Sequence, residues 1–285
     1  MALQLGVNTW TWVSPFRTED ARSLFPKIKE MGFDSVEVAL EDPFLVDAEE
    51  IRRLLGDNGL GIQVCGAFGP GRDMSSDDPA VINQAFDYIQ QAVDFAQSVG
   101  SKVVCGPMYS AVGKARHVPE EVRRQERKRA LEGLRKAALI AESGGVHLAI
   151  EPLNRFETDM INTAHQAREL IDSIGSPAVG IHLDTFHMNM EEENVYEAIV
   201  EAGDKLYHVH ASENNRGTPG SGLAAWTEMA RGLKDVKYHG AVVIETFTPE
   251  VKEIARAAAI WRPLAKSQDE LARNGLKFLR KLLQE

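Results

Sequence analysis

The sequence predicts an α/β protein built as one (β/α)8 barrel domain over residues 1–285. Short apolar runs rich in β-branched residues recur eight times, and each is followed by a longer segment with helical spacing. This alternation is typical of parallel strands connected by helices. The length of 285 residues is close to the ~250 residues of such a barrel. Because the composition does not change along the chain, a closed barrel is favoured over an open sheet.

The predicted strands are spaced so that a helix fits after each one. They cover residues 5–12, 35–40, 61–68, 102–108, 147–153, 179–187, 206–212 and 241–247. The last part of the chain, 256–285, is expected to contain the final helix and a short one before it.

Local signals mark where the helices begin and end. Asp47 with Glu50 has the spacing of an N-terminal capping box, and Asp78 followed by Pro79 is typical of a helix start. Glycines stand where three helices are expected to end, at Gly32, Gly59 and Gly100.

The composition excludes several classes of partner. Apolar residues make up 44% and charged residues 26%, which is ordinary for a globular protein with a sizeable core. A net charge of -10 and a pI near 5.4 disfavour binding to nucleic acid, which requires a basic surface. No apolar run approaches the ~20 residues needed to cross a membrane, and the first residues lack a basic region. We therefore expect neither membrane insertion nor export.

Two further features have structural interpretations. Cys65 and Cys105 each lie in an apolar stretch and are expected to be buried hydrophobic residues in a protein of the reducing cytoplasm. The basic stretch 114–136 is interleaved with glutamates, which favours a solvated helix face over a nucleic-acid patch.

Four consecutive predicted strands carry a polar residue late in the strand. These residues are Glu151, Asp184, His210 and Glu245. In a closed βα barrel the active site lies at the carboxyl ends of the strands, so these four side chains are expected to converge.

The types of these four residues indicate a metal site. Three carboxylates packed in a pocket of low dielectric repel one another unless a cation neutralises them. Oxygen-rich ligation with one imidazole and no thiolate suits Mn²⁺, Mg²⁺ or Co²⁺. The alternative is an ion-pair network without a metal, although only one of the four residues can be cationic.

Four segments resemble a known family. EPLNRFE, LDTFHMN, HVHASENNR with the following PGSG, and VVIETF are similar to the D-tagatose 3-epimerase and D-psicose (allulose) 3-epimerase family of xylose isomerase-like TIM barrels. The resemblance implies that one divalent metal ion, Mn²⁺ first among the candidates, binds to Glu151, Asp184, His210 and Glu245. It also implies that Glu151 and Glu245 are the two acid/base residues.

The same resemblance implies that Glu157, His187 and Arg216 bind the sugar near O1 and O2. Each has a simpler interpretation. Glu157 could pair with Arg155, Arg216 could pair with Glu213, and His187 could be an exposed loop residue.

Polar residues one layer below the predicted metal are expected to support it. His182, His208 and Glu37 are interpreted as hydrogen-bonded core residues. Trp10 and Trp12 could stack on the apolar face of a sugar or fill the mouth of the barrel.

The expected function is a metal-dependent ketose 3-epimerase, an isomerase that inverts C3 of a free ketose through an enediolate. A cation next to the ketone stabilises the enediolate, and two carboxylates serve the two faces of the carbon. A homodimer or homotetramer is expected.

Other functions remain open from the residues alone. One is an aldose-ketose isomerase similar to hydroxypyruvate isomerase, and another is a lyase acting on 3-keto-glycosides. A phosphodiesterase similar to endonuclease IV is disfavoured by the acidic charge. A non-catalytic sugar-binding module is disfavoured by the pair of carboxylates.

Overall fold

The barrel closes because its last strand pairs with its first. In the computed structural model, which describes residues 3–284, eight parallel strands pair in chain order and β8 returns to β1. The strands are β1 Gln4–Asn8, β2 Ser35–Leu40, β3 Gly61–Gly66, β4 Val103–Gly106, β5 His147–Ile150, β6 Val179–Asp184, β7 Leu206–His210 and β8 Ala241–Ile244. The predicted (β/α)8 barrel is confirmed.

Each strand is followed by one or two helices. The helices are α1 Thr18–Met31, α2 Ala48–Asn58, α3 Pro79–Val99, α4 Glu120–Gly144, α5 Ala164–Ile174, α6 Thr185–Glu191, α7 Val195–Ala202, α8 Trp226–Asp235, α9 Lys252–Ala257 and α10 Gln268–Gln284. Among the described residues, no helix is both long and apolar enough to cross a membrane.

Seven of the eight strands end two to four residues earlier than their apolar pattern predicts, and in β1 and β6 a polar side chain starts a turn at that point. The side chain of Asn8 accepts a hydrogen bond from the amide of Trp10 at 2.8 Å. The side chain of Asp184 accepts one from the amide of Phe186, also at 2.8 Å, and α6 begins there. The prediction that these two strands continue to residues 12 and 187 was therefore wrong. An N-cap accepts hydrogen bonds from backbone amides that would otherwise pair with a neighbouring strand.

Most of the predicted helix ends are confirmed. Asp47 caps α2 by accepting from the amides of Glu49 and Glu50, and Asp78 caps α3 with Pro79 as its first residue. The expected box at α2 is only half formed, because the Glu50 carboxylate pairs with Arg22 at 2.8 Å. The predicted terminal glycines adopt the left-handed conformation at Gly32, Gly59 and Gly100.

Alternate strand residues form two apolar layers. One set of alternate strand residues, including Val36, Val38 and Ile181, packs in the larger apolar cluster, which also contains residues of the helices. The other set of alternate strand residues contributes small side chains to a second apolar cluster, among them Ala39, Cys65, Cys105 and Ala149. Both cysteines are buried and free, as predicted.

The basic stretch 114–136 is only partly a solvated helix face. Arg124 and Lys128 are exposed on α4, but Lys114 precedes the helix and its side chain is 13% exposed. The Lys114 ammonium lies 2.8 Å from Asp73 and 3.2 Å from Glu126. The prediction failed at Lys114 because its ammonium pairs with Asp73, which is distant in the sequence, and with the buried Glu126 of α4.

Candidate active site

The four predicted ligands lie together at the carboxyl ends of four strands. Asp184 and His210 are the last residues of β6 and β7 and are paired in the sheet register. Glu151 and Glu245 directly follow β5 and β8. All four are buried, with exposures of 6% or less.

Asp184, His210 and Glu245 form one contact group. His210 Nδ1 lies 3.4 Å from Glu245 Oε1 and 4.0 Å from Asp184 Oδ2. The guanidinium of Arg216 bridges the two carboxylates, with Nη1 2.7 Å from Asp184 Oδ2 and 2.9 Å from Glu245 Oε2. The group thus combines two buried carboxylates with the Nδ1 face of one imidazole.

Glu151, which follows β5, lies next to two further histidines. Its carboxylate lies 3.5 Å from His182 Nδ1 and 3.6 Å from His187 Nε2. Burial and the nearby Glu245 carboxylate raise the pKa of Glu151 well above its ordinary value. The site therefore favours additional positive charge.

Several overlapping groups of side chains could hold a cation. Ligand atoms of Glu151, Asp184 and His187 all lie within 4.8 Å of one another, as do those of Glu151, His182 and His210. Among the described residues, no group within this distance contains all four predicted ligands. The remaining predicted ligand, Glu245, belongs to another such group, which also contains His210.

The orientation of His210 is set by the layer beneath it. Its Nε2 donates to Glu37 Oε1 at 2.7 Å, and Asn8 Nδ2 donates to the same oxygen at 2.7 Å. The other carboxylate oxygen of Glu37 lies 2.6 Å from His208 Nε2. Burial alone would raise the pKa of Glu37, but the two imidazoles outweigh it and lower the pKa. A charged Glu37 thus fixes the ring of His210.

The donor set fits a divalent cation. With its Nε2 proton directed to Glu37, His210 leaves Nδ1 buried and without a hydrogen-bond partner, facing Glu245 and Asp184. Burial would lower the pKa of His210, but the carboxylates of Glu37 and Glu245 outweigh it and raise the pKa. A buried nitrogen in surroundings that favour positive charge, next to carboxylate oxygens, suits a hard or borderline metal ion.

His187 is held as a neutral donor. Its Nδ1 accepts from the backbone amide of Asn154 at 3.0 Å, so the ring proton lies on Nε2. Burial is the main cause that lowers the pKa of His187 to about 4. The interpretation of His187 as an exposed loop residue was wrong, since it is 3% exposed.

Asn154 also positions Glu157, a role that was not predicted from the sequence. Asn154 Nδ2 donates to Glu157 Oε1 at 2.7 Å, whereas Arg155 pairs with Glu191 at 2.9 Å. The alternative pair of Glu157 with Arg155 is therefore wrong. The available signal was the position of Asn154 within EPLNRFE, at the end of a strand and three residues before Glu157.

A cavity of about 510 Å³ opens above the cluster. Polar and charged residues of the lining include Glu41, Glu151, Glu157, His187, Arg216 and Glu245. The walls are mostly apolar and include Trp10, Phe68, Phe156, Phe186 and Phe247. Trp12 is not part of this lining, because its indole Nε1 donates to Asp269 at 2.7 Å. Of the two tryptophans considered for sugar stacking, only Trp10 lines the cavity.

The barrel with its buried carboxylate and imidazole cluster defines the chain as an enzyme of the TIM barrel class. Residues 25–282 match the family described as "Xylose isomerase-like TIM barrel". The chain is 33% identical over 282 residues to a probable ketose 3-epimerase of Synechocystis sp., covering 99% of this chain and 97% of the relative. It is 32% identical to the ketose 3-epimerase of Arthrobacter globiformis, covering 98% of this chain and 96% of that one.

A solved structure agrees with these relatives. The D-allulose 3-epimerase from Methylomonas sp. in complex with D-allulose superposes with a TM-score of 0.92 at 28% identity, covering 98% of this chain and 97% of that one. The chain therefore belongs to the ketose 3-epimerase family of xylose isomerase-like TIM barrels and is an enzyme of the isomerase class.

Proposed function

We propose that this enzyme is a metal-dependent ketose 3-epimerase that inverts C3 of a free ketose, with Glu151 and Glu245 as its acid/base residues. The observation that carries the proposal is that these two buried carboxylates, from β5 and β8, line one cavity. Two other strands, β6 and β7, separate them in the barrel order. Two carboxylates on separate strands can serve two faces of one carbon.

The metal ligands in this proposal are Glu151, Asp184, His210 and Glu245. Their three carboxylates and one imidazole favour Mn²⁺, with Mg²⁺ and Co²⁺ as alternatives. A divalent cation supplies positive charge beside the ketone and so lowers the cost of removing the neighbouring proton. Asp184 and His210 hold the cation without taking part in proton transfer.

Proton movement is assigned to the two glutamates. One carboxylate accepts the C3 proton from its side of the sugar, and the other donates a proton from the opposite side. A single base could only return the proton to the face from which it came. Inversion therefore requires both residues.

Three residues are assigned to binding the sugar near O1 and O2. His187 offers the Nε2 proton, Arg216 offers its guanidinium, and Glu157 offers an acceptor oxygen held by Asn154. All three assigned residues line the cavity. The apolar walls suit the carbon chain of the substrate.

The charge of the cavity supports a free ketose over a phosphorylated one. The lining contains four glutamates, Glu41, Glu151, Glu157 and Glu245, against one arginine, Arg216. A phosphate group would be repelled by this excess of acidic groups. The Methylomonas relative was solved with D-allulose, an unphosphorylated ketose.

Product analysis in D₂O tests the proposal against its alternatives. With Mn²⁺ and D-allulose, we expect NMR to show deuterium at C3 together with inversion at that carbon. Formation of an aldose with solvent deuterium incorporated at C1 or C2 would instead support an aldose-ketose isomerase. Release of an aglycone from a 3-keto-glycoside, with no exchange in free ketoses, would support a lyase.

A further inference from the structure

The loop after β7 is organised around one buried carboxylate, that of Glu213. Glu213 is fully buried, and its two oxygens accept from four donors of the loop and the helix that follows. These donors are the amides of Asn214 at 3.0 Å, Ala224 at 2.9 Å and Gly220 at 2.9 Å, and the indole Nε1 of Trp226 at 3.2 Å. One side chain thereby joins both ends of a loop of about a dozen residues.

The loop wraps tightly around this carboxylate. A Cβ atom added at Gly222 would lie 2.8 Å from Glu213 Cδ and 2.3 Å from Asn214 Oδ1. Asn214 Oδ1 in turn accepts from the amide of Leu223 at 2.9 Å. The path of residues 213–226 therefore depends on the position of the Glu213 side chain.

Arg216 lies in the first turn of this loop. Its amide donates to the carbonyl of Glu213 at 2.9 Å, and its backbone adopts a φ of 60°, which is uncommon for a residue with a side chain. Its carbonyl accepts from Thr246 Oγ1 at 2.6 Å. The surrounding structure therefore maintains the strained backbone of Arg216.

This backbone position places the guanidinium inside the barrel mouth. Arg216 is 5% exposed, and its guanidinium lies 4.0 Å from the ring centroid of Phe186 and 5.1 Å from that of Phe247. Its Nη1 also donates to Ser212 Oγ at 2.9 Å. Because the guanidinium has contacts on several sides, a small change in the turn would disturb several of these contacts at once.

We propose that Glu213 is a positioning residue that acts on the substrate through Arg216. Glu213 does not line the cavity, whereas Arg216 does. The carboxylate sets the turn, the turn sets the φ of Arg216, and the guanidinium then meets the sugar oxygens in the required orientation. This inference rests on the sugar-binding role proposed above for Arg216.

A double-mutant cycle tests the coupling between the two residues. The variants are Glu213→Gln, Arg216→Ala and the double variant, each assayed for KM and kcat on D-allulose with Mn²⁺. We expect Glu213→Gln to raise KM by about tenfold or more, since misplaced binding groups are costly. In the Arg216→Ala background, the same substitution should change KM by less than about twofold.

A matched control separates positioning from general stability. Asp47 also accepts from two backbone amides, but it caps α2 and does not line the cavity. Asp47→Ala, which removes the cap, should lower the midpoint of thermal unfolding and leave KM unchanged. If Glu213→Gln does not fold, Gly222→Ala displaces the same carboxylate and replaces it in the cycle.

Three outcomes would overturn the inference. If Glu213→Gln leaves KM unchanged while Arg216→Ala raises it, Glu213 has no positioning role and the proposed role of Arg216 survives. If the two effects multiply in the double variant, Glu213 does not act through Arg216. If Arg216→Ala leaves KM unchanged, the sugar-binding role of Arg216 fails, and the inference fails with it.

Discussion

His210 Nε2 donates to Glu37 at 2.7 Å, and this contact turns the other ring nitrogen, Nδ1, toward Glu245. Glu37 comes from β2 and His210 from β7, two strands that β1 and β8 separate in the closed barrel. The carboxylate thereby determines which ring nitrogen faces the proposed metal.

Replacing Glu37 should weaken metal binding without removing a proposed ligand. In Glu37→Gln one carboxylate oxygen becomes an amide NH₂ group, so His208 and His210 can no longer both donate to the side chain. We expect the affinity for Mn²⁺ to fall by about 10- to 100-fold, as is typical when the hydrogen-bond partner of a ligating histidine is replaced, because Gln lacks the negative charge that makes the ring a stronger ligand. Isothermal titration calorimetry measures the change.

Glu126 provides a matched control for this experiment. It is also a buried glutamate, 4% exposed, but it pairs with Lys114 and Arg116. Glu126→Gln should lower thermal stability while Mn²⁺ affinity stays at the wild-type value. Equal affinity in wild type and Glu37→Gln would show that Glu37 does not orient His210 toward a metal.

Removal of the metal should abolish activity, and its return should restore it. In the proposed mechanism, the cation would neutralise the carboxylates and supply the charge that the reaction requires. Asp184→Asn and His210→Ala should each reduce metal occupancy, measured by elemental analysis of the purified protein. Full activity after verified removal of metal, or unchanged metal content in both variants, would contradict the assignment of this site.

The two acid/base residues should be separable by their partial reactions. Glu151→Gln and Glu245→Gln are each expected to block epimerisation, while one-sided exchange of the C3 proton with D₂O can continue. Metal content must be checked in each variant, because both residues are also proposed ligands. A fully metallated Glu245→Gln enzyme that still epimerises at nearly the wild-type rate would refute the two-carboxylate mechanism.

The contribution of Glu213 to stability should depend on pH. Burial alone would raise its pKa, but hydrogen bonds from the amides of Asn214 and Ala224 and from Trp226 lower it from the ordinary value of 4.5. A carboxyl group whose pKa is lower in the folded state stabilises the fold above the unfolded-state pKa. This contribution is lost as the pH falls through the folded-state pKa.

Thermal unfolding as a function of pH measures this contribution. The difference in unfolding midpoint between wild type and Glu213→Gln should be largest near neutral pH and should narrow below about 4.5. A difference that stays constant to lower pH would show that the charge of Glu213 is unimportant for the fold.

The positions of the strands and of the strand-end side chains could be predicted because they depend on local pattern. In β2, Val36 and Val38 alternate with Glu37, and this alternation predicts which side chains share a face without any knowledge of the neighbouring strands. Asp184 and His210 were placed at strand ends for the same reason. The carboxyl ends of all eight strands meet at one side of a barrel, so a local prediction was sufficient to bring the four residues together.

The choice of partners was decided only by the tertiary structure. Arg216 binds Asp184 and Glu245 instead of Glu213, although Glu213 is only three residues away. Strand parity follows from residues that are adjacent in sequence, and the chain by itself determined it. The exact strand ends were not predicted, because the strands stop where turns and caps begin. The contact between Glu37 and His210 spans 173 positions, so it exists only because the barrel closes and brings distant strands around a common centre.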